Sequence, residues 1–174
     1  ADLSQMLWPD SDLPCALPRP FHAVPVSREV EWAKTLLSAG MAILLDEDLL
    51  PRDRRGRVIV GGWFGVPHSK GRQRLIFDRR PQNSLECQLD WLALPPGTQL
   101  CRCIVAKNET FRGSGDDLSN WFHTLRRNVE AGVGCVGRAM DGSHFADLCP
   151  DAKPGQLYFL QSTTYGMGDH NSAD

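Results

Sequence analysis

Long apolar runs, paired cysteines, internal repeats and low-complexity tracts are all missing from this 174-residue chain. No apolar stretch approaches the roughly 20 residues a membrane-spanning helix needs, so no membrane partner is expected. The start, Ala1 to Pro14, has neither a basic head nor a continuous apolar segment, so no export signal is expected. An intracellular location, cytoplasmic or nuclear, is expected. The six cysteines (Cys15, Cys87, Cys101, Cys103, Cys135, Cys149) never form Cys-x-x-Cys and read as free thiols of a reducing compartment. In that setting Asn108-Glu109-Thr110 is a chance match to a glycosylation acceptor. Cys101 and Cys103 lack the regularly spaced histidines of a zinc site, and no activated hydrolase nucleophile is present. Gly132-Val133-Gly134-Cys135-Val136-Gly137 spells G-x-G-x-x-G, yet no clear strand precedes it and no helical pattern follows, so no dinucleotide site is expected.

What is present is ordinary soluble composition, 41% hydrophobic and 23% charged, in a chain long enough for one core. The net charge of −2 hides a local concentration. Between Arg52 and Arg80 stand nine basic residues against two acidic ones, an excess that attracts polyanions by counterion release.

Residues 1–27 hold five of the twelve prolines and show no periodicity, so they read as an extended arm. Ser27 is placed to cap a helix whose apolar residues Val30, Ala33, Leu36 and Leu37 recur at helical spacing up to Gly40. Met41–Leu45 is a short apolar run. Val58–Val66 predicts a strand weakened by Gly61 and Gly62, and Arg72–Asp78 its hairpin partner, with Gly71 supplying the positive φ of a tight turn. Pro81–Leu94 reads as loop and short turns, Thr98–Val105 as either helix or strand, Asn120–Arg127 as a helical turn and Gln156–Ser162 as a strand.

Two segments about forty residues apart carry a resemblance. Phe64–Asn83 reads FGVPHSKGRQRLIFDRRPQN, and Asp117–His123 reads DLSNWFH. Together they resemble the fingers hairpin and first palm carboxylate motif of a reverse transcriptase, the RNA-directed DNA polymerase of retroelements. A third match, Met167-Gly168 through Asn171-Ser172-Ala173, resembles the segment that enters a helix beside the nucleotide base. It departs at Met167, where glutamine is more familiar, and at Ala173, where proline is.

The resemblance implies an α+β fold: a polymerase fingers β-hairpin with an incomplete palm sheet and an irregular N-terminal arm. It divides the chain into the arm (1–27), a fingers-like region (28–112) and a partial palm-like region (113–174). Asp117 would be the catalytic carboxylate holding Mg²⁺, since two-metal nucleotidyl transfer must neutralise charge on attacking and leaving oxygens. Adjacent side chains on a strand face opposite ways, so Asp116 and Asp117 cannot both reach the metal. Arg74, four residues before Asp78, would bind the triphosphate bidentately, with Lys70 as second cation. Phe122 would exclude a 2′-hydroxyl, beside Trp121 where a small residue is more usual. Met167 and Gly168 would line the nucleotide. Asp78, Arg80 and Asn83 match Asp-x-Arg-x-x-Asn and would brace the hairpin. The implied partners are an RNA or DNA template-primer and deoxynucleoside triphosphates. The later Asp-Asp pair of the family is not found, so the chain is expected to be inactive alone; the alternative is a non-catalytic nucleic-acid-binding module with a relic polymerase motif.

Overall fold

The computed structural model describes residues 16–68, 71–87, 98, 102–115, 121–127 and 132–166; the side chains of Phe122 and His123 lie outside the description. Among the described residues the structure is mixed α and β, with two small antiparallel sheets and one long helix. That helix, α1 (Glu29–Ser38), carries Glu29 and Glu31 in its first turn, where carboxylates complement the exposed amide dipoles. Ser27 is not its cap. A 3₁₀ turn over Val26–Arg28, closed by Arg28 N donating to Pro25 O at 2.9 Å, delivers the chain instead, and Arg28 makes no side-chain capping bond. The far end closes as the sequence suggests: Gly40 has φ 67°, and the amides of Gly40 and Met41 return to Leu37 O and Leu36 O.

The three-stranded sheet has the order β1-β5-β4, where β1 is Ala42–Asp46, β4 Cys135–Asp141 and β5 Leu157–Ser162. Both pairings are antiparallel, and β5, buried on both neighbours' sides, is its centre. The sheet draws β1 from the first half of the chain and β4 and β5 from the second, so the two halves are joined through one set of hydrogen bonds. The second sheet is the expected hairpin, β2 (Gly62–Pro67) with β3 (Gln73–Asp78). Its turn shows Gly71 at φ 71° and His68 N donating to Arg72 O at 2.8 Å.

The predicted strand over Val58–Val66 is regular only from Gly62. Val58 bridges Arg52, and Gly61 leaves the hairpin to bridge Val136 of β4, with Gly61 N to Cys135 O at 2.9 Å and Gly137 N to Gly61 O at 3.1 Å. A Cβ on Gly61 would stand 2.7 Å from Asp78 O and from the Phe77 ring, so the crossing accepts glycine alone. The junction interrupts β4: its register shifts between Val136 and Met140, around Gly137 at φ 80°. The glycine-rich segment is thus a turn and bulged strand.

Ala33 and Leu36 of α1 close over Ala42, Val136, Met140 and Leu160. Trp63 and Phe77, paired across the hairpin, stack at 4.7 Å and extend that core. In the Thr98–Val105 stretch, Thr98 and Arg102 are 3₁₀ and 103–105 have no regular structure, while 99–101 lie outside the described residues; all of 102–115 is exposed. Among the described residues no helix is long and apolar enough to cross a membrane.

Candidate functional site

Strand alternation sorts the hairpin into two faces. The register pairs Val66 with Arg74, Phe64 with Ile76 and Gly62 with Asp78, so these six share one face; Trp63, Leu75 and Phe77 occupy the other, toward the core. Arg74 is exposed and has no ion-pair partner among the described residues. Asp78, by contrast, is buried and occupied. It accepts from Arg80 Nη2 at 2.7 Å and Nε at 2.9 Å, and from the Phe21 amide at 2.7 Å. The Arg80 guanidinium, followed by the backbone amides, outweighs burial and holds this carboxyl below its usual range. Arg80 also donates to Arg19 O at 3.3 Å, so Asp78 and Arg80 staple the arm to the end of β3. Asn83 closes the short helix α2 (Arg80–Asn83), its amide donating to Arg79 O at 2.8 Å.

The basic segment is less cationic than its sequence implies. Arg52 faces Glu47, Arg57 faces Asp53, Arg79 faces Glu86 and Arg80 faces Asp78. Arg55, Arg72 and Arg74 are exposed and free of ion pairs among the described residues. Arg79, one of the nine basic residues of that segment, is 1% exposed. Its guanidinium reaches Glu86 Oε1 at 3.0 Å and Val133 O at 2.6 Å, and lies 5.5 Å from the Phe77 ring centre. Burial, followed by the nearby Arg127 cation, pulls its pKa down to about 10, which leaves it charged at neutral pH.

The arm is also more engaged than its composition implies. Residues 16–25 have no regular structure, yet Ala23 N donates to Trp63 O at 2.8 Å and Trp63 N donates to His22 Nδ1 at 3.0 Å. His22 Nε2 lies 2.9 Å from both oxygens of Glu29, which is 5% exposed and also accepts from the Arg138 amide and guanidinium. Burial alone would raise the Glu29 pKa; His22 and Arg138 together outweigh it and hold the carboxyl low. Sequence reading missed this cluster because its members are 7 and 109 residues from Glu29. A cavity of about 420 Å³ lies between α1 and the hairpin, lined by Trp32, Thr35, Trp63, Gly65, Gln73 and Leu75 among others.

Of the predicted site residues, Asp117, Lys70, Met167 and Gly168 lie outside the described residues, as does the side chain of Phe122. The backbone of Phe122 belongs to a helical turn, α3 (Trp121–Thr124). That turn is tethered to the end of β5, since Arg127 N donates to Thr163 O at 2.9 Å and Tyr165 N to Leu125 O at 3.2 Å. The Arg127 guanidinium stacks 4.5 Å above the Tyr165 ring. Among the described residues no group of three or more His, Cys, Asp or Glu is placed to hold a metal ion. Compared with protein-family models, curated proteins and solved structures, the chain matches none.

Proposed function

We propose that this chain is the fingers and first part of the palm of a reverse-transcriptase-like nucleotidyltransferase, acting inside the cell on an RNA or DNA template-primer and deoxynucleoside triphosphates. The observation that carries the reading is the division of labour on one hairpin face. Arg74 is exposed and without an ion pair among the described residues, while Asp78 and Arg80, four and six residues on, are consumed in bracing. An exposed guanidinium with no ion pair among the described residues is suited to bidentate capture of phosphate oxygens. In this reading Lys70 adds a second cation at the hairpin tip, Asp117 holds Mg²⁺, Phe122 screens the sugar, and Met167 and Gly168 approach the nucleotide. Two divalent cations repel each other strongly, so in this reading Asp117 is one member of a carboxylate set that holds them together.

The test is the affinity of the 174-residue chain for Mg²⁺·dATP and for a fluorescent RNA–DNA primer-template. Arg74→Ala should weaken triphosphate binding about tenfold, the loss of roughly one charge-assisted hydrogen-bond pair. Unchanged triphosphate affinity in that variant would overturn the reading. Asp117→Asn separates it from the binding-module alternative: a polymerase site loses metal-dependent triphosphate binding, whereas a relic keeps its salt-sensitive nucleic-acid affinity unaltered.

A further inference from the structure

We infer that His22 is a positioning residue that latches the arm to β2 and, through Glu29 and Arg138, sets the angle of the Arg74-bearing hairpin against α1 and β4. This deepens the function proposed above and rests on it, because Arg74 is the group being positioned.

A two-stranded hairpin is marginal in isolation and takes its orientation from what it contacts. Here the hairpin backbone meets the three-stranded sheet at the Gly61–Val136 bridge, while Trp63 and Phe77 pack into the shared core. Apolar packing is non-directional, so directional attachments beyond that bridge fix the hairpin's angle. The second backbone attachment lies two residues along β2, on the edge not taken by β3, where both backbone groups of Trp63 turn to the arm: its carbonyl accepts from Ala23 N at 2.8 Å and its amide donates to His22 Nδ1 at 3.0 Å.

That geometry assigns the tautomer. A ring nitrogen that accepts from an amide is unprotonated, so the imidazole hydrogen sits on Nε2 and is donated to Glu29 at 2.9 Å. One imidazole therefore joins two elements, each through its own nitrogen. Glu29 is fixed in turn by Arg138 of β4, whose amide lies 3.2 Å away and whose guanidinium also donates to Val24 O at 2.8 Å. Two glycines make room: a Cβ on Gly62 would stand 2.2 Å from Phe21 O, and one on Gly137 2.5 Å from Glu29 Oε1. The arm crosses β2 and the carboxylate sits over the β4 bulge because neither position carries a side chain.

The two contacts can be removed separately. His22→Asn places an amide oxygen near the Nδ1 position and keeps an acceptor for Trp63 N–H while losing Glu29. His22→Gln reaches the Nε2 position and keeps Glu29 while losing the Trp63 acceptor. On the full chain, His22→Gln should speed hydrogen exchange at the Trp63 amide by about tenfold or more. The same variant should weaken Mg²⁺·dATP binding by about five- to tenfold, and His22→Asn, which cuts the link to Glu29, should weaken it by a similar factor while leaving Trp63 exchange within about twofold. A simple loss of stability would instead shift both variants in proportion to their thermal midpoints, and that result overturns the inference. Unaltered Trp63 exchange in His22→Gln overturns it too, as does faster exchange with unchanged triphosphate affinity. Should Arg74→Ala fail to weaken the triphosphate, the polymerase reading falls; should Arg74→Ala weaken it and His22→Gln not, the latch falls alone.

Discussion

A methyl group on Gly137 would lie 2.5 Å from Oε1 of Glu29, so the β4 bulge and the buried carboxylate of α1 occupy space that only glycine leaves open. The same residue has φ 80°, which adds backbone strain to the collision. Gly137→Ala should therefore cost about 2–4 kcal/mol, as a special-φ position with a buried clash. Gly71→Ala meets the φ penalty at 71° with nothing within 4 Å, and should cost about 1 kcal/mol. Urea unfolding of both variants measures the difference, and equal losses would show that the Glu29 contact is soft.

Glu29 and Asp78 both titrate below their ordinary values of 4.5 and 3.8. A depressed folded-state pKa contributes stability above the unfolded pKa, and that contribution is lost as pH falls through the folded one. Stability should accordingly hold from neutral pH down to about 4.5 and then decline until both carboxyls are protonated. Glu29→Gln should cost about 2 kcal/mol at pH 7, the order of lost hydrogen bonds to charged groups, and should flatten part of the acid decline. Urea midpoints from pH 7 to pH 3 test this; a parallel acid decline in the variant would assign the effect elsewhere.

Arg74 and Arg79 stand five positions apart with opposite roles. Arg74→Ala, on an exposed side chain without an ion pair among the described residues, should change stability by less than about 0.5 kcal/mol. Arg79→Ala strips Glu86 of its guanidinium and Val133 O of its donor in a buried setting, and should cost about 3 kcal/mol. Thermal melts separate the two. For nucleic-acid affinity the order reverses: Arg72→Ala and Arg74→Ala should each reduce the salt slope by up to about 1, while a folded Arg79 variant should leave it unchanged.

Phe145, fully excluded from solvent in the turn after β4, contacts the core between α1 and the three-stranded sheet. Phe145→Ala should cost about 3–5 kcal/mol by the cavity it leaves. A chain unfolded at 25 °C, or one losing most of its urea midpoint, is the expected result; a loss under about 1 kcal/mol would mean the site collapses onto itself.

How far the sequence could be read depended on whether the determining contacts were local. The hairpin was legible because Gly71 and the flanking β-branched and aromatic residues act within a few positions, and α1 because its spacing and Gly40 do. The strand of β5 was legible from its own residues, but its partners were not: Ala42 pairs with Ser162 and Cys135 with Gln161, separations that no local pattern encodes. β4 was overlooked since Gly132, Gly134 and Gly137 lower strand propensity, and the bulge that needs Gly137 exists only against Gly61 and Glu29. The Ser27 cap failed because Pro25 sets up a 3₁₀ turn that carries the chain past it.

Charge followed the same rule. Residue order by itself determined that the stretch from Arg52 to Arg80 is basic, that Arg74 precedes Asp78 by four residues, and that the two strands of the hairpin alternate faces. Which arginines remain free for a ligand was decided by the fold: Glu47 and Glu86 lie outside that stretch and claim Arg52 and Arg79, while Phe21 and Arg19 of the arm close around Asp78 and Arg80. The reason is that side-chain type is a property of one position, whereas desolvation and pairing depend on neighbours that only the folded backbone brings within a few ångströms.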